Sequence, residues 1–211
     1  MITAVWYRGM TSIVPTRRAW HAVAELVLAG PQHRRTGEIA LTAAEGGFAT
    51  TAKPALHVIG GEVVHAAGSV TINGNTCAGI AAAIGLDVGA PAGLYPDGSG
   101  VAPDDKLELD LDAAWILGTA FRVGDEALRA LAPSQRPILW PEHFDVGITV
   151  DEVNYGVSPG DDHLDVPYAY VGPWSVPDGP FWNAPFGAAR PLAELPDLAA
   201  WFAEGAALAH P

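Results

Sequence analysis

The chain has 211 residues, 49% of them apolar, with a mean hydropathy of +0.19, which supports a full core and excludes a disordered chain. Eleven Lys and Arg stand against 24 Asp and Glu, a formal charge of −13. The basic doublets Arg17-Arg18 and Arg34-Arg35 are too short to hold a phosphate backbone, which excludes nucleic acid. The single cysteine, Cys77, rules out a disulfide framework and a thiolate zinc cage. No apolar run reaches the ~18 residues of a membrane helix. Arg8 interrupts the one N-terminal stretch that could serve as a signal sequence, so a soluble protein of the reducing cytoplasm is expected.

In chain order, residues 16–29 predict a helix with Trp20, Val23, Ala24, Val27 and Leu28 on one face, stopped by Gly30-Pro31. From Thr36 to Ile72 short β-branched runs separated by Gly46-Gly47 and Gly60-Gly61 predict a meander of hairpins. Asn75 or Thr76 caps a short helix through Ile84. Residues 87–104 form a loop, and Lys106–Asp110 reads as a strand. A long helix follows from about Leu111 to Leu131. Pro133 and Pro137 bracket the best internal boundary, dividing the chain into lobes 1–134 and 135–211 of one compact unit. Beyond it, Ile138–Pro141, Val146–Val150 and Val166–Val171 predict strands with a Gly/Ser/Pro/Asp loop between them. Residues 172–191 predict an irregular aromatic wrap, and 192–208 a closing helix. The order predicts an α+β fold, an antiparallel sheet covered by helices on one side.

The segment from Leu139 to Trp174 concentrates the chemistry-bearing side chains. A strand through Trp140-Pro-Glu-His-Phe-Asp would put His143 and Asp145 on one face. Such a pair can bind a divalent cation such as zinc at about 2.0–2.2 Å, transfer a proton, or serve only as a structural hydrogen bond. If the chain returns antiparallel, Asp161 and His163 complete a three- or four-ligand N/O site. His21 and Glu25, four apart on the first helix, have a familiar metal-ligand spacing and equally suit a solvated pair. Cys77 is read as a small buried residue. Gly156-Val-Ser158-Pro-Gly160 has the spacing of a nucleophile elbow, but Pro159 lacks the N–H that an oxyanion hole needs there. No phosphate-binding loop or dinucleotide fingerprint is present.

Trp140-Pro-Glu-His-Phe-Asp, Asn154-Tyr-Gly-Val-Ser-Pro-Gly-Asp and Pro167-Tyr-Ala-Tyr, with Trp20-His-Ala-Val-Ala-Glu-Leu-Val-Leu-Ala-Gly-Pro-Gln and Gly46-Gly47-Phe48, resemble a family of uncharacterised, largely actinobacterial proteins. That resemblance carries no assigned chemistry. The β pattern from Thr36 to Gly74 faintly resembles the sterol-carrier-like domain of mycothiol-dependent isomerases, which implies an apolar ligand cavity.

The expected function is that of a small-molecule enzyme performing metal-dependent hydrolysis or a proton-transfer isomerisation. His143 would be ligand or base, and Asp145 and Asp161 ligands or orienting carboxylates. His163, His21 and Glu25 are secondary participants. Two alternatives stand beside it: a non-catalytic module holding an apolar metabolite between the meander and helix 111–131, and a homo-oligomer joined through the aromatic wrap at 172–186.

Overall fold

The computed structural model describes residues 13–95 and 98–210. The N-terminal segment whose Arg8 argues against a signal sequence lies outside the described residues. Among those described, no helix is long and apolar enough to cross a membrane.

The first helix runs from Val14–Ala22 through a π-helical stretch, Val23–Ala29, into Gly30–Thr36. It passes through Gly30-Pro31, where the sequence predicts its end, and stops at Gly37 in the left-handed region, φ 78°. In the π stretch the Gly30 N–H donates to the carbonyl of Glu25, five residues back. The next bond of that register would come from residue 31, and proline has no N–H. The Leu26 carbonyl left over accepts instead from the Gly89 amide at 2.9 Å. Arg34 donates to the carbonyls of Gly89, at 3.1 Å, and Asp87. A loop strand outside the helix thus replaces what the proline removes.

Ten strands form a single antiparallel sheet: β1 Leu41–Ala44, β2 Gly47–Thr50, β3 His57–Ile59, β4 Glu62–His65, β5 Gly68–Thr71, β6 Ile138–Trp140, β7 Asp145–Val150, β8 Val153–Ser158, β9 Tyr168–Pro173 and β10 Ala188–Pro191. Their spatial order is β10-β9-β8-β7-β6-β1-β2-β3-β4-β5. Each half is a five-strand meander, and the halves meet through their first strands at Leu41 and Leu139. The short helix Cys77–Ala83, the long helix Leu111–Leu131 and the last helix Leu198–Ala209 complete the α+β fold with helices on one side. Their first turns are capped by Thr76, Asp110 and Asp197, whose side chains accept from backbone amides three residues on. The connectivity is helix, five strands, helix, repeated once. No repeat is visible in the sequence, because the two copies share order and not residues.

The core is centred where the halves join. Trp20 from the first helix, Phe121 from the long helix, Phe48 at the start of β2 and Phe144 just before β7 are fully buried. Trp20 stacks on Phe121 with centroids 6.5 Å apart, and Phe48 and Phe144 meet edge to face at 5.4 Å. Phe121 meets Phe144 at 5.2 Å, and Trp20 meets Phe48 at 5.5 Å. Edge-to-face and offset rings at these spacings add about 0.5–1.5 kcal/mol per pair beyond area burial.

Three expectations are corrected. Lys106–Asp110 is not a strand and makes only an isolated bridge with Thr76, because it serves as the lead-in to the Asp110 cap. The first part of the Gly/Ser/Pro/Asp stretch forms β8, and only residues 159–165 remain the expected loop. β8 is joined to β7 by a two-residue turn in which Asp151 (φ 47°) and Glu152 (φ 64°) both take the left-handed conformation of a tight hairpin. The wrap contains β10, whose Ala188–Pro191 pairs with β9. The connector at 132–137 separates the two topological units, but the sheet runs unbroken across them.

Replacing Gly30 with alanine should be costly although alanine is the better helix former. The new Cβ would collide with the carbonyl of Gly89. Overpacking of this kind costs about 1–3 kcal/mol, so urea unfolding of Gly30→Ala should show a lowered midpoint with an unchanged slope. An unaltered midpoint would show that the loop yields freely.

Candidate functional site

Alternation along β7, β8 and β9 divides their side chains between two faces. Val146 and Val157 lie under the long helix, where they approach Gly124. Asp145, Gly147, Asn154, Gly156, Ser158, Tyr168, Tyr170 and Gly172 take the opposite positions, on the face without helices. That face carries a cleft of about 640 Å³, with Asp145, Asn154, Ser158, Asp161, Tyr168 and Tyr170 among its polar lining and Trp174, Val176, Pro185 and Phe186 as apolar walls. Trp174 is 69% exposed.

Gly147, Gly156 and Tyr170 lie side by side in cross-strand register. A Cβ on Gly156 would occupy the Tyr170 ring, and one on Gly147 would stand 3.0 Å from its hydroxyl. The two glycines therefore form a trough in which the phenol lies across the strands and donates to Oδ2 of Asp145. Asp145 is 8% exposed. Its other oxygen, Oδ1, is shielded from solvent and has no hydrogen-bond partner. Burial pushes the Asp145 carboxyl above its ordinary range, against the opposing pull of the Tyr170 hydroxyl and the His143 imidazole. Burial and the adjacent Asp145 charge hold the Tyr170 phenol well above its usual value. A carboxyl whose proton is retained more strongly than in water, beside a phenol that also keeps its proton, is the arrangement of a proton donor–acceptor pair.

His143 reaches this site by a different route from the one its sequence spacing suggests. The strand begins at Asp145, and residues 141–144 form a turn closed by the Phe144 amide on the Trp140 carbonyl at 2.8 Å. Phe144 adopts φ 54°, uncommon for a bulky residue. This turns its ring into the core and leaves His143 outside, mostly exposed and 3.1 Å from Glu142. His143 and Asp145 nevertheless line the same cleft.

Asp161 is committed to holding its own loop. Its Oδ1 accepts from the amides of His163 at 2.8 Å and Leu164 at 3.3 Å. Its Oδ2 accepts from Tyr168 at 2.5 Å and Ser158 at 3.4 Å. Ser158 also accepts from the Gly160 amide, a turn-forming role and not that of a nucleophile. Tyr168 is raised by burial and by Asp161. His163 packs edge-on against Phe186, centroids 5.1 Å apart, and Tyr168. Among the described residues no three His, Cys, Asp or Glu side chains are grouped to hold a metal ion. His143, Asp145, Asp161 and His163 line one cleft system without converging on a point, because the turn and the Asp161 loop face them along it.

His21 joins the site and Glu25 does not. The His21 ring stacks on Phe144 at 5.1 Å, and its Nε2 lies 2.8 Å from the carbonyl of Pro141, at the base of the His143 turn. Burial lowers the imidazole from its ordinary value despite that carbonyl and Glu25. Glu25 is 5% exposed, and so not a solvated partner. It accepts from the amide and hydroxyl of Ser99 at 2.9 and 2.7 Å, anchoring the long loop. Cys77 is buried, its thiol pushed up to about 12 by burial and then by Glu25, which agrees with an inert residue.

Sequence reasoning counts Tyr168 and Tyr170 only among aromatics able to line a pocket, gives neither a chemical role, and does not single out the Gly147–Gly156 pair. The available signal was Pro167-Tyr-Ala-Tyr, whose strand period puts both phenols on one face. No protein-family model, curated protein or solved structure matches the chain.

The sign of the Asp145 effect fixes a prediction. A carboxyl raised on folding favours the folded state at low pH and loses that contribution as pH climbs through its folded value. Asp145→Asn removes the charge, so its melting temperature relative to the parent should rise between pH 4 and pH 8. Tyr170→Phe should lose more stability at pH 8 than at pH 4. Scanning calorimetry of the three proteins across that range measures both, and a pH-independent difference would contradict the assignment.

Proposed function

We propose that the open face of β7–β9 is the site of a small-molecule enzyme that moves a proton, with Asp145 as the acid–base group. The observation that carries this reading is the buried Asp145 carboxyl, with one oxygen held by Tyr170 and the other unpartnered, at the base of a cleft. Tyr170 positions the carboxyl and holds its proton balance. His143, exposed at the wall, is the second transfer group and the exit for the proton. The polar floor and the apolar walls at Trp174, Val176 and Phe186 suit an amphipathic molecule, with an oxygen function inward and carbon skeleton against the rings.

Of the two chemistries expected from the sequence, this arrangement favours isomerisation or another proton transfer over metal-dependent hydrolysis, since the four ligand candidates do not converge. It also favours the cleft over a cavity between the meander and the long helix. The helix lies close on the sheet there: a Cβ on Gly118 would stand 3.2 Å from the Gly46 backbone and 3.3 Å from the Gly47 amide.

Solvent-deuterium exchange tests the reading without a known substrate. A panel of small ketones, hydroxy acids and oxo acids is incubated in deuterium oxide and followed by proton NMR. Enzyme-dependent label uptake at a carbon next to a carbonyl is expected, falling about 10²–10⁴-fold in Asp145→Asn, the usual contribution of general acid–base catalysis. His143→Ala, which removes an exposed side chain, should lower the rate with no change in melting temperature. Undiminished uptake in Asp145→Asn would remove the carboxyl from the mechanism.

A further inference from the structure

Beside the Asp145 cleft lies a second lobe of about 490 Å³, sharing His143, Asp161, Tyr168 and Phe186 with it. His163, in ring contact with both Tyr168 and Phe186, forms the partition with them. The first helix supplies Arg17, Arg18 and His21 to this lobe, and the loop after β8 supplies His163. In a chain with 24 Asp and Glu against 11 Lys and Arg, two adjacent guanidiniums on one lobe run against the overall field.

The arginines are also not neutralised by the protein. Among the described residues neither Arg17 nor Arg18 forms an ion pair. Half-buried Arg17 spends one donor on the Asp165 carbonyl, at a long 3.5 Å. Two carboxylates line the lobe with them: Asp161, both of whose oxygens accept from four donors, and Asp162, an exposed side chain of the same loop. A guanidinium presents up to five donors in a planar fork that matches an oxyanion. Two such forks, neither in an ion pair and only one of them spending a donor on a carbonyl, stand in a concave lobe beside two imidazoles and keep donors for an oxyanion.

We infer that this lobe receives the oxyanion of an organic acid, a carboxylate or a phosphate monoester, belonging to the molecule whose other end reaches Asp145. The anion-binding part stands on the Arg17–Arg18 lobe alone. The shared molecule rests on the proton-transfer reading above. Arg17 and Arg18 then act as specificity determinants: they select an acid from neutral carbonyl compounds and fix which carbon stands over Asp145. The partition has a part as well. The His163 and Phe186 rings, packed edge-on, keep the anion away from the Asp145 carboxyl, and the carbon skeleton lies along the lining that the two lobes share at His143, Tyr168 and Phe186.

The test uses the full chain at pH 7 and constant ionic strength, titrated with inorganic phosphate, with acetate, and with chloride as the reference. The His21 and His163 ring-proton signals are followed by NMR. Saturable shifts are expected with phosphate or acetate and not with chloride, and the stronger of the two identifies the kind of oxyanion. Arg17→Gln/Arg18→Gln should weaken the response at least ~10-fold, as expected for the loss of charge-assisted hydrogen bonds. Asp145→Asn should keep it. Tryptophan fluorescence of the buried Trp20 environment verifies folding of the double variant, and Arg18→Gln alone serves where that variant is unfolded, since Arg18 is an exposed side chain. Shifts that match chloride, or that survive loss of the arginines, overturn the inference and leave the Asp145 reading to its own test. Retained anion binding with no deuterium exchange in any acid would instead keep the lobe and discard the proton-transfer site.

Discussion

The four rings of Trp20, Phe48, Phe121 and Phe144 meet at the join between two five-strand meanders, and each comes from a different part of the chain. The first helix, β2, the long helix and the turn before β7 are all fixed relative to one another by that contact. Because the rings are fully buried and arranged edge to face or stacked, a shift of one element would open a void that its neighbours could not fill without leaving their own rotamers. The constraint extends outward through Phe144. Its ring is part of the quartet, His21 stacks on its inner side, and the backbone on either side of it carries His143 and Asp145. Core packing therefore sets the position of the proposed site directly.

The site has a second dependence, on the absence of side chains. Gly147 and Gly156 weaken the strands they occupy, since glycine has no side chain to pack and loses more backbone entropy on folding. That loss is balanced by a phenol laid flat across two strands and bonded to a carboxyl that would otherwise be buried alone. Destabilising features are collected here: left-handed Phe144, unpartnered Asp145 Oδ1 and two strand glycines. Their concentration on one face, opposite a well-packed helical layer, is the pattern of a site held in place by the rest of the fold.

Much of the architecture was legible in the sequence, and the exceptions have physical causes. The long helix and the first meander announce themselves through period and turn glycines, because local rules decide them, whereas the Asp110 cap lay inside a stretch read as a strand. The extension of the first helix past Pro31 was not legible: it depends on a Gly89 amide far away in sequence. β8 was hidden because its outward positions are Asn154, Gly156 and Ser158, residues that read as loop until the phenol resting on them is seen. The site was legible in part. His143, Asp145 and His21 were marked by residue type and do line the cleft system, but the route was a turn and not a shared strand face. Tyr170 was given no chemical role because a tyrosine in a strand signals core packing more readily than chemistry. Asp161 drew notice as a carboxylate, yet its oxygens are spent on a turn, a fact that only the fold reveals.

The seam between the meanders bears on how the molecule resists force. Backbone pairing across it is recorded at a single register position, Leu41 with Leu139, whereas β8 and β9 are zipped over six. Load applied along the sheet would therefore be borne at the seam by ring contacts, which yield gradually under shear, and not by a ladder that must rupture as a block. The two halves form one sheet at rest and two mechanical units under strain. The Asp145 cleft is stretched over the stiff unit, β7 to β9, so the geometry of the proposed site is insulated from flexing at the join.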